Sequence, residues 1–290
     1  MLKKMRNKGI VNIVSISIAA VVIITAGFTG YYVSSTTAQG NVEDTLQISE
    51  VVVKNDDSGY LRFEEDKYAD DAIEVQRRLE SYDYTREDGK KVAYLTFDDG
   101  PSQFVTENIL DVLNRNDVKA TFFMAGNTID KNSKSEDIIK RMVKEGHAIG
   151  NHTYSHDYKV LYPHGTADID AFMQDVKKTE DRLKEIIGKD FKCRAIRMPG
   201  GSMSWKTKDL LTELGNQDYA SVDWNALNGD AEGKKKNPEQ LLNKLKETTV
   251  NKDTVVVLMH DTDAKEDTFN YLQSAIDYLK SEGYEFRTLK

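Results

Sequence analysis

VAYLTFDDGP, residues 92–101, decides the fold. Val92–Phe97 is an apolar and aromatic run of strand length and composition, and Gly100-Pro101 supplies the turn that ends it. Between them stand Asp98 and Asp99. Two adjacent carboxylates at the end of an apolar strand are costly unless water, a cation or a metal receives them. A lone Asp-Gly reads more simply as a turn cap, and the doubled carboxylate weakens that reading. Strand alternation sends the two side chains in opposite directions, which would give them different tasks.

The same pattern repeats outward from this stretch. Further apolar strands are expected at Lys119–Phe123, Ala148–Asn151, Arg194–Arg197, Tyr219–Val222, Thr254–Met259 and Glu285–Thr288. Between them, helical periodicity covers Phe104–Asn116, Ser135–Glu145, Ile169–Ile187, Lys206–Leu214, Pro238–Thr248 and Thr268–Glu282. Gly146, Gly188, Gly215 and Gly283 fall where helix C-terminal caps take glycine. Strands alternating with helices imply parallel pairing, and about seven such units suggest a closed or nearly closed β/α barrel. An open doubly wound sheet satisfies the pattern as well. In either case chemistry belongs at the C-terminal ends of the strands.

Upstream the chain has a different character. Lys3, Lys4, Arg6 and Lys8 crowd residues 1–8, and no acidic residue precedes Glu43. Gly9–Val33 is a run of 25 residues without a charge, which as a helix spans roughly 37 Å against a hydrocarbon core of roughly 30 Å. The basic flank is expected to remain in the cytoplasm, with the rest of the chain outside the cell and Tyr31 and Tyr32 at the outer interface. The run is expected to be a single-pass membrane anchor; the competing reading is a cleaved signal peptide and a secreted product. Residues 34–90 read as an extracellular stem, with one helical stripe of Tyr68, Ala72, Val75 and Leu79 inside it. The catalytic-size domain is then 91–290.

Composition removes other classes. The chain has 290 residues with a net charge of −8, which argues against a nucleic-acid partner. Its one cysteine, Cys193, excludes an intrachain disulfide framework and a four-cysteine metal site.

The other strand ends repeat the first. The third strand runs into His152-Thr-Tyr-Ser-His156, whose two imidazoles share one face if the segment makes a helical turn. One aspartate and two histidines suit a catalytic ion with an open water position. The fourth strand ends at Arg197-Met-Pro-Gly200-Gly201 and the sixth at Leu258-Met-His260-Asp261. Asp223-Trp224 and Leu227-Asn228-Gly229-Asp230 follow the fifth. From its sequence setting alone, His260 could be a third ligand, a general acid or a solvated loop residue. His147 and His164 fall in no constellation and read as structural.

Together the five motifs, in order over Lys91–Lys290, resemble the polysaccharide deacetylases with the NodB homology domain, carbohydrate esterase family 4. The resemblance implies a distorted (β/α) barrel and metal-dependent hydrolysis of N-acetyl groups from a GlcNAc polymer. It matches Asp98 to the general base and Asp99, His152 and His156 to the metal ligands. Arg197 matches the residue that holds the base, His260 the general acid, and Asp230 the carboxylate that orients it. The fourth motif departs from the family pattern: Leu227 replaces its first aspartate and Ala231 its tryptophan, so Trp224 is the candidate for the aromatic wall. Gly200 and Leu258 are the expected oxyanion and substrate contacts. The ligand set implies zinc, with cobalt, nickel and manganese also able to use it.

A glycosidase places its two carboxylates roughly 5 Å or more apart across the bond, which sequence neighbours do not do easily. A catalytically silent wall-binding protein on the same fold would have lost the base, a ligand or the acid, and all three are present. The expected substrate is peptidoglycan, with another surface polysaccharide as the alternative.

Overall fold

The computed structural model describes residues 60–290. The expected tail at 1–8, anchor at 9–33 and first part of the stem lie outside the described residues. Among the described residues no helix is long and apolar enough to cross a membrane.

The elements follow in the order β1 (Ala69–Asp70), α1 (Ala72–Ser81), β2 (Lys91–Asp98), α2 (Val105–Arg115), β3 (Thr121–Met124), α3 (Gly126–Lys131), α4 (Ser135–Lys144) and β4 (Ala148–Asn151). Then come α5 (Tyr158–Leu161), α6 (Ile169–Ile187), β5 (Ala195–Ile196), α7 (Lys208–Asn216), β6 (Ala220–Ser221) and β7 (Ala226–Leu227). The chain closes with α8 (Pro238–Thr249), β8 (Thr254–His260), α9 (Glu266–Ser281), β9 (Tyr284–Phe286) and β10 (Thr288–Leu289).

The main sheet is parallel, in the order β6-β5-β4-β3-β2-β8-β7, with β9 beside the lower part of β2. The expected barrel is therefore corrected to a curled half-barrel: β6 and β7, its two end strands, share no ladder among the described residues. The physical reason is the connection. Only residues 222–225 join β6 to β7, whereas parallel pairing of neighbours needs a crossover of a dozen or more residues.

Period-two alternation sorts the long strands into two faces. Ala93, Leu95 and Phe97 of β2 and Val255, Val257 and Met259 of β8 pack outward with α2, α4, α8 and α9 in one large apolar core. Val92 and Tyr94, with Val256, face the inside of the curl, as do Thr96 and Asp98 by the same alternation. The inner face is filled from below by Ala72, Val75 and Leu79, the stripe of α1. Asp71 caps that helix, its carboxylate accepting the Ile73 N–H at 2.8 Å. β1 pairs with β10, so the stretch from Tyr60, read from sequence as stem, is packed into the domain.

Of the four glycines expected at helix ends, Gly146 and Gly283 adopt left-handed φ values of 82° and 86°. Gly215 instead lies inside α7.

Candidate active site

The long strand β2 delivers Asp98 to the C-terminal edge of the sheet, where it is 2% exposed. Arg197, just past β5, is fully buried beside it. Its Nη1 donates to Asp98 Oδ1 at 2.9 Å and to Thr96 Oγ1 at 2.6 Å. Nε and Nη2 donate to the carbonyls of Val222 and Asp223 at 2.9 and 3.1 Å, and the guanidinium lies 4.2 Å over the Phe123 ring. Backbone carbonyls and a ring thus fix the cation, and the cation fixes one oxygen of Asp98.

Asp99 leaves the strand with φ +77°, a left-handed conformation that is sparse for a residue with a side chain. This corrects the expectation of opposite directions: the turn brings Asp99 back, and both aspartates line one cavity of about 410 Å³. Gly100 follows because a Cβ there would collide with the buried Asp261 carboxylate.

His152 and His156 meet, but not on a helical turn. The loop after β4 carries left-handed residues at Thr153 and His156, with φ of 64° and 51°. Asn151 Oδ1 accepts the Thr153 N–H at 2.9 Å, and Asp175 Oδ2 accepts from the backbone and hydroxyl of Ser155 at 2.7 and 2.6 Å. The imidazole centroids end 4.9 Å apart. His152 Nε2 and His156 Nε2 lie 3.5 and 3.4 Å from Asp99 Oδ1, while Asp98 Oδ2 is 3.8 Å from His152 Nε2.

The donor set fits a divalent cation. One ligand atom from each of Asp99, His152 and His156 falls within 4.8 Å of the others. His152 Nδ1 lies 2.7 Å from the Arg197 carbonyl, a hydrogen bond that needs the proton on Nδ1 and turns the Nε2 lone pair toward the cluster. Burial lowers the His152 pKa, which keeps the ring neutral as a ligand must be.

His260 ends β8. Its Nδ1 stands 2.8 Å from Asp230 Oδ1, and its backbone N–H donates to Asp230 Oδ2 at 2.9 Å. Thr268 and Asn228 also donate to Oδ2, at 2.8 and 3.3 Å. Burial pulls the His260 pKa down, but the hydrogen bond and charge of Asp230, with Asp98 and Asp99 nearby, prevail and push it up to about 9. Burial opposes ionisation of Asp230 in turn, and the bond from His260 outweighs it, holding that carboxyl below its ordinary value.

Trp224, Leu227, Gly200, Leu258 and Ala231 line the same cavity. The structure therefore gathers every residue singled out from the motifs. Four supporting groups were given no role from sequence: Thr96, Asn228 and the Asp223 carbonyl, which lie inside the quoted stretches, and Thr268, which lies outside them. Thr96, Asp223 and Asn228 each lie within two residues of a residue singled out from the motifs, whereas Thr268 carried no local signal. His147 is buried as a core residue, its Nδ1 accepting the Ala120 N–H at 3.1 Å. A larger cavity of about 510 Å³ lies against the N-terminal ends of β5 and β6, lined by Arg62, Asp190, Arg194 and Lys290, and holds none of these groups.

Comparison with known proteins agrees with this geometry. Residues 85–219 match the family model described as polysaccharide deacetylase. A putative polysaccharide deacetylase of Bacillus subtilis is 34% identical over 70% of this chain and 68% of its own length. A peptidoglycan-N-acetylglucosamine deacetylase of Bacillus cereus is 29% identical over 98% of this chain and 92% of its own. Among solved structures, a Streptococcus mutans CE4 esterase superposes with a TM-score of 0.70 at 35% identity, covering 77% of this chain and 92% of that one. With strand-end carboxylates, paired histidines and a buried arginine in the family's order, the chain belongs to the polysaccharide deacetylases of carbohydrate esterase family 4.

Proposed function

We propose that this protein removes acetyl groups from the N-acetylglucosamine residues of peptidoglycan by hydrolysis, leaving a free amine on the sugar and releasing acetate. The observation that carries the reading is the placement of Asp98 and His260 on one face of the sheet, around the Asp99–His152–His156 cluster.

Asp98 Oδ1 is held by Arg197, which leaves Oδ2 to accept a proton from the attacking water. His260, with Nδ1 engaged by Asp230, presents Nε2 as the donor to the departing nitrogen. Amide cleavage needs that proton, because an unprotonated amine anion is too poor a leaving group. A divalent ion held by Asp99, His152 and His156, zinc by the chemistry of the donors, supplies Lewis acidity toward the amide carbonyl when bound. Gly200, at φ +79°, places backbone beside the cavity where a developing oxyanion needs a donor. Trp224, Leu227 and Leu258 form the apolar wall for the acetyl methyl, in place of the family's tryptophan at Ala231.

The charge-free run at 9–33, basic on its N-terminal side, supports a membrane-anchored enzyme whose domain works outside the cell.

The test is mass spectrometry of peptidoglycan fragments after digestion with the purified zinc-loaded protein, alongside acetate release. Loss of one acetyl mass from glucosamine-containing fragments is expected. Acetate from another surface glycan but none from peptidoglycan would replace the substrate, and acetate from neither would overturn the reading.

A further inference from the structure

Past β5 the chain turns beside the catalytic cavity through Pro199-Gly200-Gly201-Ser202, with both glycines left-handed at φ of 79° and 81°. Nearly every polar group of this turn is committed. The Pro199 carbonyl accepts from Trp205 Nε1 at 3.0 Å, and the Gly200 carbonyl from the Ser204 hydroxyl at 2.7 Å. The Gly201 N–H donates to the Met198 carbonyl at 2.8 Å, and the Ser202 N–H donates to Asp223. Proline has no N–H to give. Among the described residues, the Gly200 amide alone in this turn has no acceptor, and Gly200 lines the catalytic cavity. A backbone donor left unpaired there is what a developing oxyanion requires.

The turn is gripped from the connection between β6 and β7. There Asp223 Oδ1 accepts the Ser202 N–H at 3.0 Å, and Oδ2 accepts the Ser202 hydroxyl at 2.5 Å. Trp224 packs so closely on the turn that a Cβ on Gly201 would stand 2.8 Å from the indole. The main chain of Asp223 serves a second group. Its carbonyl accepts from Arg197 Nη2 at 3.1 Å, and Arg197 Nη1 holds Asp98. One residue therefore supports both the free amide and the carboxylate that takes the water proton.

We propose that Asp223 is a positioning residue for the hydrolysis: its carboxylate sets the Gly200 amide against the developing oxyanion, while its carbonyl, through Arg197, sets Asp98. This rests on the deacetylase reading above and deepens it. Bonds to an ionised carboxylate are shorter and stronger than neutral ones, so Asp223 holds the turn more firmly than a neutral acceptor would. Firmness matters here, because an oxyanion donor acts only where it is already in place when charge develops. A misplacement of about 1 Å in such a group can cost about 10²-fold in rate.

The experiment follows, by NMR, release of acetate from a peptidoglycan disaccharide and of trifluoroacetate from its N-trifluoroacetyl counterpart. It uses the zinc-loaded full-length protein and its Asp223→Ala, Asp223→Asn and Ser202→Ala variants, with zinc content measured for each. Fluorine draws charge from the tetrahedral oxyanion, so the second substrate depends less on a hydrogen-bond donor. Asp223→Ala should lower kcat on the N-acetyl substrate by about ten- to hundredfold, with KM within about twofold and zinc retained. Its loss on the N-trifluoroacetyl substrate should be smaller by about threefold or more. Asp223→Asn keeps an acceptor for the Ser202 N–H and should recover most of the rate. Ser202→Ala loses only the hydroxyl bond and should show a smaller loss with the same bias between substrates. Equal losses on the two substrates, or a loss confined to KM or to zinc content, overturns the proposal. If Asp223→Ala does not fold, the bias in Asp223→Asn and Ser202→Ala decides it. Wild type that releases neither acid overturns the deacetylase reading and this inference with it, whereas active wild type with unbiased variants overturns the inference alone.

Discussion

Asp98 and His260 are partnered positions in the parallel ladder between β2 and β8, so their side chains leave the sheet on the same side. One carries a carboxylate fixed by Arg197 and the other an imidazole fixed by Asp230. A group able to accept a proton and one able to donate it are thereby set apart by a single inter-strand step, with the Asp99–His152–His156 cluster beside them.

The two adjacent aspartates should separate under substitution. Asp98→Asn is expected to retain zinc and lose about 10²–10⁴-fold in kcat, since an amide cannot take the water proton. Asp99→Asn should bind zinc more weakly and recover part of its rate in excess metal. Metal titrations with acetate release as readout check this, and rescue of Asp98→Asn alone would exchange the roles.

Activity should fall on the alkaline side as His260 loses its proton. Its pKa, raised from 6.5 to about 9, gives stability that is complete below 6.5 and lost as pH rises through about 9. A divalent ion beside Asp99 offsets part of the negative charge that lifts His260, so the alkaline limb of the loaded enzyme should lie between these values. Asp230→Asn should move that limb toward 6.5 and flatten the loss of stability over the same window. A pH profile of kcat/KM unmoved by Asp230→Asn would remove His260 as the donor.

Arg197→Met leaves the Asp98 carboxylate buried without its cation, a change that typically costs about 3–5 kcal/mol. Urea unfolding should show the loss, and adding Asp98→Asn to the same chain should recover part of it. With Asp98→Asn measured alone to close the cycle, a double variant whose loss equals the sum of the two single losses would mean that the pair is not coupled.

Truncation to Lys91, the boundary that sequence periodicity suggests, should yield an unstable or aggregated protein. It removes Ala72, Val75 and Leu79 from the inner core and leaves β10 without its partner. A chain beginning at residue 56 should unfold cooperatively on heating, and comparing the two melts tests the boundary.

If residues 9–33 anchor the protein, full-length material should stay with membranes through high-salt and carbonate washes. A product beginning near Gln39 in the medium would instead show cleavage.

Much of this arrangement was legible because it depends on periodicity and strand ends. Ala148–Asn151 and Ile169–Ile187 have the same bounds in sequence and structure, and each motif sits at the predicted edge. The elements that escaped are short. β1 and β7 have two residues each and α5 has four, too few for any period to register. α1 was visible as a stripe, but a stripe does not say what covers it, and its partner is the inside of the sheet. The histidine pair was found for an incorrect geometric reason: side-chain acceptors from Asn151 and Asp175 close that loop, and no spacing rule encodes them.

The ladder between β1 and β10 joins Ala69 to Thr288. Synthesis runs from the first to the second, so α1 emerges early with an apolar stripe that has no complete cover until almost the whole domain exists. Contacts this distant in sequence are slow to form, and exposed apolar surface in the interval invites aggregation. The nascent domain should therefore depend on being kept unfolded, or shielded, until its last strand is available. Conditions that slow release of the C-terminal segment should lower the yield of active protein before they affect the activity of molecules already folded.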